Sequence, residues 1–256
     1  MPEFHFTDIE SILPFIAVGF LAQLIDGALG MAFGLINSTL LVSVLGVPPA
    51  LASASVHAVE TFTTAASGAS HVWHRNVDWK LFRRLVIPGM IGGFLGAYVL
   101  SNIDAGVAKP FVMAYLAAIG LYLLYRAWRG AIEVKSPRVV APLGLVGGFL
   151  DAAGGGGWGP VVTSNLLVQG SAPRHTIGTV NTSEFFLTTT VSIAFITQIG
   201  FAAFTLATLG LLIGGLVAAP LGGLLAKRVP TRPLMAMVGT LLTLTSAFTI
   251  WQALNK

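Results

Sequence analysis

The sequence predicts an all-α polytopic membrane protein made of two inverted-topology repeats, residues 1–130 and 131–256. The first observation is composition: 55% of the 256 residues are hydrophobic and 9% are charged, whereas soluble domains carry about 25% charged residues. The second is a duplication of Asp, Gly, Pro and Glu positions between the halves. The third is a pair of glycine-rich interruptions, one in each half. Together these observations favour one integrated transmembrane domain formed by two copies of a module.

Eight apolar runs define the predicted helices. Most of them fit one span of about 20 residues, but the first and fifth are longer and contain glycine-rich breaks, DGALGMAFG at 26–34 and DAAGGGGWG at 151–159. We therefore expect each repeat to be a broken hairpin, re-entrant or fully spanning, plus three transmembrane helices, which gives about 8 to 10 membrane segments. The runs cover residues 9–45, 51–73, 85–100, 107–128, 139–168, 176–199, 201–226 and 233–254.

Sliding one half of the chain over the other brings its polar residues into register. The aligned pairs, 123 to 125 residues apart, are Asp26 with Asp151, Gly30 with Gly155, Gly34 with Gly159, Pro48 with Pro173, Glu60 with Glu184, Pro110 with Pro233 and Trp128 with Trp251. A bare carboxylate near the bilayer centre costs about 2.5 to 3.5 kcal/mol, so such residues usually serve a pathway or a site. Its repetition in two halves is typical of secondary transporters.

Basic residues collect in three loops, at 74–84, 126–138 and 227–232. Lys and Arg mark cytoplasmic loops. The first loop is the second interhelical loop of its half, whereas the third loop is the next interhelical loop after that position in its own half. Both loops can therefore be cytoplasmic only if the two halves cross the membrane in opposite directions. We expect both termini outside. The acidic N-terminus lacks the basic start of a signal peptide, and we expect no processing.

The broken hairpins also carry a family resemblance. The segments GGFLDAAGGGGWGP at 147–160 and PRHTIGTVNTSE at 173–184 resemble the sulfite exporter TauE/SafE family of membrane permeases. This resemblance implies a permease for small anionic compounds such as sulfite, sulfonates or other oxidised sulfur species. The first half departs from the pattern, because Leu29, Met31 and Ala32 interrupt its glycine run.

Both breaks have the chemistry of an anion cradle. Glycine leaves backbone amides unshielded, and a following helix N-terminus adds donors and a partial positive charge. The predicted substrate-binding residues are Gly30, Gly34, Asn37, Gly154, Gly155, Gly156, Gly157, Trp158, Thr163, Ser164, Asn165 and Asn181. The alternative is that the glycines only let helices pack closely. We expect that packing role for the later glycines Gly92, Gly96, Gly210 and Gly214.

The acidic residues have two alternative roles. Burial disfavours the charged form of a carboxyl group, so Glu60 and Glu184 are candidates to carry a proton coupled to anion movement. His57 and Asn181, one turn earlier on the same helix faces, are their predicted hydrogen-bond partners. In the alternative, these carboxyl groups bind the backbone of a broken helix and hold its shape. For Asp26 and Asp151, which open the breaks, we favour a capping role.

Two other functions compete with anion transport. Asp26, Glu60, Asp151 and Glu184 together suit a sodium, calcium or proton exchanger. An intramembrane enzyme using His57 and Glu60 is weaker, because the repeated position of the histidine is Asn181. We predict no catalytic residue, cofactor, bound metal or nucleic-acid partner. The expected partners are a small anion, the lipid bilayer and protons as a candidate coupling ion; the sequence leaves the oligomeric state open.

Overall fold

The computed structural model describes residues 12–29, 31–129, 137–163, 165–166, 169, 171–225 and 231–254. Regular structure in these residues is helical throughout, which confirms the all-α class. The first half contains α1 (Leu13–Leu29), α2 (Phe33–Thr39), α3 (Pro49–Trp73), α4 (Trp79–Asn102) and α5 (Ala105–Arg129). The second half contains α6 (Ala141–Gly154), α7 (Pro173–Ile199), α8 (Leu206–Leu225) and α9 (Thr231–Leu254). Short π-helical segments, Leu40–Val44 and Gly159–Thr163, follow the two breaks.

Local sequence explains where several helices begin and end. Pro49 lies at the start of α3, where its fixed φ suits the first helical turn and its missing N–H would have had no partner. The Asp78 carboxylate caps α4 by accepting hydrogen bonds from the amides of Lys80 (2.9 Å) and Leu81 (3.1 Å). Gly155 ends α6 in the left-handed conformation that helix C-termini favour.

Helix length and apolarity together identify two candidate membrane spans in the described part of the chain, Trp79–Asn102 and Pro110–Arg129. Shorter apolar helices occur at Leu13–Asp26, Phe33–Val44, Ala141–Gly154, Leu206–Pro220 and Gly239–Phe248. The helices α3 and α7 have 25 and 27 residues, which is long enough to span a bilayer, but both carry many Ser and Thr side chains. These helices are compatible with a membrane protein; the number of membrane segments stays a prediction.

Glycines allow several helices to pack with their backbones nearly in contact. A Cβ atom on Gly92 of α4 would lie 2.9 Å from the carbonyl carbon of Leu145 in α6. On α8, a Cβ atom on Gly210 would lie 2.6 Å from the Cβ of Phe15 in α1. Small residues permit this close approach between membrane helices. The structure confirms the packing role predicted for Gly92, Gly96, Gly210 and Gly214.

A polar seam joins the second half of α3 to the middle of α7. Its side-chain contacts are Thr61 with Ser192 (3.2 Å), Thr64 with Thr188 (3.5 Å) and Ser67 with Asn181 (3.2 Å). Residue numbers rise along α3 as they fall along α7, so the two helices are antiparallel. Hydrogen bonds between side chains are a common means of holding helices together where the surroundings are apolar.

The second hairpin begins and ends at the same end of the bundle. The amides of Arg138 and Val139, just before α6, both donate to Oε1 of Gln169 at 2.9 Å. The Gln169 side-chain amide donates in return to the Val139 carbonyl at 3.1 Å. Arg84, near the start of α4, donates to the Arg138 carbonyl at 3.1 Å. The chain therefore enters the bundle through α6, turns at the break and returns to its starting level.

Candidate functional site

An aspartate closes each glycine break in the same way. The amide of Phe33 donates to Oδ1 of Asp26 at 3.3 Å, and the amide of Trp158 donates to Oδ1 of Asp151 at 2.8 Å. In both breaks the carboxylate accepts from the residue seven positions later, where the chain resumes a helical path. These two bonds satisfy amides at helix starts, which are left without intrahelical acceptors.

The backbones of the two breaks follow unusual paths. Gly155, Gly156 and Gly157 have φ values of 75°, 135° and 151°. At the position aligned with Gly157, the first break has Ala32 with a φ of 124°. Such values are open to glycine but strain a residue with a Cβ atom. Gly30, the remaining predicted glycine of the first break, lies outside the described residues.

The two breaks touch inside the bundle. A Cβ atom on Gly156 would lie 2.6 Å from the carbonyl carbon of Gly34 and 2.7 Å from the amide nitrogen of Leu35. Ser38 donates a hydrogen bond to the carbonyl of Gly155, so the second break is also held by a side chain of α2, the helix that follows the first break. The structure thus brings together the predicted glycines Gly34 and Gly156, although they are far apart in the sequence.

His57 forms a buried polar link between the halves. Its Nε2 lies 2.9 Å from Oδ2 of Asp151, and its Nδ1 lies 2.7 Å from the carbonyl oxygen of Ser53. The predicted bond from His57 to Glu60 was therefore wrong. Helical side chains point toward the N-terminal end of their helix, which brings the ring of His57 to the carbonyl of Ser53, one turn earlier.

Asn181 also departs from the prediction. Its side-chain amide donates to the carbonyl of Ile177, one turn earlier, at 3.1 Å. Its Oδ1 accepts from Ser67 of α3 at 3.2 Å. The predicted bond from Asn181 to Glu184 was wrong, and Asn181 instead belongs to the polar seam between α3 and α7.

The two glutamates lie on facing helices near the breaks. Glu60 is 5% exposed and Glu184 is 9% exposed. A Cβ atom on Gly34 would lie 2.9 Å from Oε1 of Glu60, while Oε2 of Glu60 has no hydrogen-bond partner among the described residues. Glu184 is close enough to interact electrostatically with Glu60, Asp26 and Asp151. Four acidic side chains from both halves therefore share one buried region.

The other predicted binding residues differ in whether their polar atoms already have a partner. Asn37 donates to the carbonyl of Phe33 at 2.9 Å, and its Oδ1 is buried without a partner among the described residues. The Thr163 hydroxyl is likewise buried and unpartnered there, whereas Asn165 bonds the carbonyl of Val161 at 2.6 Å. Ser164 lies outside the described residues.

Trp158 has a packing role in this structure. A Cβ atom on Gly89 of α4 would lie 2.6 Å from its ring, which is 1% exposed. Its indole N–H donates to the Val180 carbonyl of α7 at 3.3 Å. The ring therefore lies between α4, α6 and α7 and fixes the arm that follows the second break.

Sequence reasoning missed three residues that contact the second break. Ser38 binds the Gly155 carbonyl, and Ser53 donates to the Ala152 carbonyl at 2.7 Å. These hydroxyls satisfy carbonyls at the end of α6, which have no intrahelical donors. The position of Ser53 one turn before His57 was a usable signal. Tyr115 of α5 also lies against the break, and nothing in its sequence neighbourhood indicated this contact.

The described residues hold no group of three or more His, Asp or Glu side chains arranged to bind a metal ion. A cavity of about 390 Å³ lies away from the breaks, beside Val59, Phe62 and Leu209. Phe62 and Leu209 are exposed on the outer surface of the bundle. This cavity is thus an apolar recess outside the polar region, and the contacts between Gly34 and Gly156 leave the breaks themselves closely packed.

Comparisons with known proteins agree with the resemblance in the sequence. The chain matches the family described as Sulfite exporter TauE/SafE over residues 15–249. It is 42% identical over 250 residues to "Probable membrane transporter protein YtnM" of Bacillus subtilis (strain 168), covering 94% of this chain and 83% of the relative.

A second relative is more distant. The chain is 25% identical over 262 residues to a "Probable membrane transporter protein" of Xylella fastidiosa (strain Temecula1 / ATCC 700964), covering 96% of this chain and 97% of that protein. No significant match to a solved structure was found. Because the family match includes both breaks and both buried glutamates, the protein belongs to the sulfite exporter TauE/SafE family of membrane transporters.

Proposed function

We propose that the protein is a secondary transporter that moves a small anion, such as sulfite or an organosulfonate, across the cytoplasmic membrane by alternating access. The observation that carries this proposal is the meeting of two glycine breaks, one from each half, at Gly34 and Gly156. Discontinuous helices that meet near the midplane are the usual place for a transporter's substrate site. The names of the two relatives, both probable membrane transporters, support the same function.

The helix contacts support two inverted repeats, residues 1–130 and 131–256. Under the alignment of the halves, α1 corresponds to α6, α3 to α7, α4 to α8 and α5 to α9. The contact of α1 with α8 then corresponds to that of α6 with α4, and α3 packs on its own counterpart α7. Thr64 and Thr188, an aligned pair, meet at 3.5 Å between antiparallel helices. A two-fold axis between them would lie in the membrane plane, with re-entrant hairpins and both termini outside.

The substrate would bind between the two breaks. Its oxygens would accept hydrogen bonds from backbone amides, which are favourable donors at the start of a helix. Asn37 and Thr163 are suitable additional contacts, because each has a buried polar atom without a partner among the described residues. Separation of Gly34 from Gly156 would open the site, and closure would bring the two backbones into the contact seen here.

Binding measurements test this function directly. Purified protein in detergent would be heated with choline salts of sulfite, thiosulfate, methanesulfonate and acetate at two pH values, with choline chloride as the ionic-strength control. A ligand that binds only the folded protein raises its melting temperature. We expect sulfite or methanesulfonate to stabilise the protein more than chloride does. Equal melting temperatures in all these salts would contradict anion binding.

A cation exchanger is the second candidate, because Asp26, Glu60, Asp151 and Glu184 interact in one buried region. Sodium, calcium or protons would then be the transported ions. The same thermal experiment with sodium chloride and calcium chloride separates the two functions. Stabilisation by these cations, without any by sulfite or sulfonates, would favour the exchanger.

The proposed coupling to protons has its own test. Glu60→Gln, Glu184→Gln and the double variant would be placed in proteoliposomes that contain a pH indicator. If the glutamates carry the coupled proton, the double variant should lose acidification or alkalinisation of the lumen during anion movement. An active double variant with unchanged pH coupling would leave the glutamates a structural role.

A further inference from the structure

Tyr115 of α5 places a buried hydroxyl group against the second glycine break. A Cβ atom on Gly157 would overlap that hydroxyl, and a Cβ atom on Gly154 would overlap the ring. Glycine at these two positions therefore makes room for the phenol. The ring lies directly on the stretch of backbone where the proposed function places the anion.

The hydroxyl of Tyr115 is buried and has no hydrogen-bond partner among the described residues. Buried tyrosine hydroxyls normally have a partner, because an unpaired one has lost its hydrogen bonds with water. Asp151 interacts electrostatically with Tyr115, but no hydrogen bond joins the two side chains. The two oxygens of Asp151 bond Trp158 and His57 instead. The phenol is thus a donor next to the break that the protein itself does not use.

We propose that the Tyr115 hydroxyl donates a hydrogen bond to an oxygen of the anion bound at the second break. This inference rests on the proposed function and adds a specific binding residue to it. The spacing that aligns Pro110 with Pro233 aligns Tyr115 with Val238, which has no hydroxyl. The donor therefore exists in one half only, and the oxyanion binds closer to the second break than to the first.

Replacement of Tyr115 by Phe tests this role, because the ring keeps its contacts with Gly154 and Gly157 while the hydroxyl is removed. The readout is the Kd for sulfite, and separately for methanesulfonate, obtained from the rise of the melting temperature with ligand concentration. A hydrogen bond to a charged group is strong enough that its loss should raise this Kd by about tenfold or more. The melting temperature without ligand should stay the same or rise.

Tyr98→Phe is the matched control, since Tyr98 is an exposed tyrosine on α4 and should leave binding unchanged. Equal Kd values for wild type and Tyr115→Phe would overturn the role of Tyr115 and leave the proposed function standing. Failure of both anions to stabilise the wild type would overturn the proposed function together with this inference. A Tyr115→Phe variant that does not fold would show that the hydroxyl has a structural role instead, which also overturns it.

Discussion

The break after α1 and the break after α6 share a cap and differ in what holds them. Asp26 accepts from the amide of Phe33 at 3.3 Å, and Asp151 accepts from that of Trp158 at 2.8 Å. Among the described residues, only the second aspartate has a further partner, Nε2 of His57 at 2.9 Å. The duplication has kept the bond that shapes each break, whereas a bond from the capping aspartate to α3 exists in one copy. The first break is joined to α3 in another way, because the Gly34 amide donates to the Glu60 carboxylate.

The residues aligned between the halves explain this difference. His57 is aligned with Asn181, which binds within the seam of α3 and α7 and does not reach Asp26. In the second break, three successive glycines take up the positive φ values, whereas in the first break Ala32 takes one of them with a side chain present. The second break is therefore joined to α3 through its capping aspartate, whereas the first break carries backbone strain at Ala32.

The largest effect is expected from removing the second aspartate. Asp151→Ala leaves His57 buried without its partner, and breaking a buried pair in this way costs about 3 to 5 kcal/mol. Asp26→Ala removes a single cap, worth about 0.5 to 2 kcal/mol. Both changes remove an acidic neighbour of Glu184, so this effect does not distinguish them. Thermal unfolding in detergent should therefore show a clearly lower melting temperature for Asp151→Ala than for Asp26→Ala.

A double variant checks the cause of that difference. If the His57 contact is responsible, the double variant Asp151→Ala/His57→Ala should lose less stability than the sum of the losses in the two single variants. The effects of changing two residues in contact on the free energy of unfolding are generally not additive. Equal melting temperatures for Asp26→Ala and Asp151→Ala would show instead that the link to α3 contributes nothing.

A comparable loss is expected where the two breaks touch. Gly156→Ala places a methyl group 2.6 Å from the carbonyl carbon of Gly34 and at a φ of 135°. Overpacking and backbone strain each cost about 1 to 3 kcal/mol. Gly46→Ala is the matched control, since Gly46 has a φ of 70° but nothing within 4 Å of the added Cβ. We expect Gly156→Ala to melt well below Gly46→Ala, and equal melting temperatures would mean that the breaks separate easily.

Much of the fold was predictable because apolar runs and glycine breaks are local properties. The run at 51–73 corresponds to α3 (Pro49–Trp73), and the run at 139–168 divides into α6 and a second arm at its glycines, as predicted. The run at 201–226 begins too early, because Gly200 ends α7 with a φ of 67° and α8 starts only at Leu206.

The site was less predictable, because its contacts depend on how the halves meet. Spacing along α3 suggested Glu60 as the partner of His57, but the ring faces Ser53 and Asp151. Residues three apart on a helix are neighbours, so the spacing alone could not exclude the bond to Glu60. The choice of Asp151 depends on the position of α6 against α3, which one sequence does not reveal. The contact of Tyr115 with the second break depends on tertiary packing in the same way.

The smallest expected effect concerns the first break, and it has the opposite sign. Ala32→Gly relieves a φ of 124° at a residue with a Cβ atom, a strain worth about 1 to 3 kcal/mol. The added freedom of glycine in the unfolded chain offsets about 0.5 to 1 kcal/mol of that gain. The melting temperature should therefore rise slightly. A lower melting temperature would indicate that packing of the buried Ala32 methyl group stabilises the protein by more than the backbone strain at Ala32 destabilises it. The first break would then be as well packed as the second.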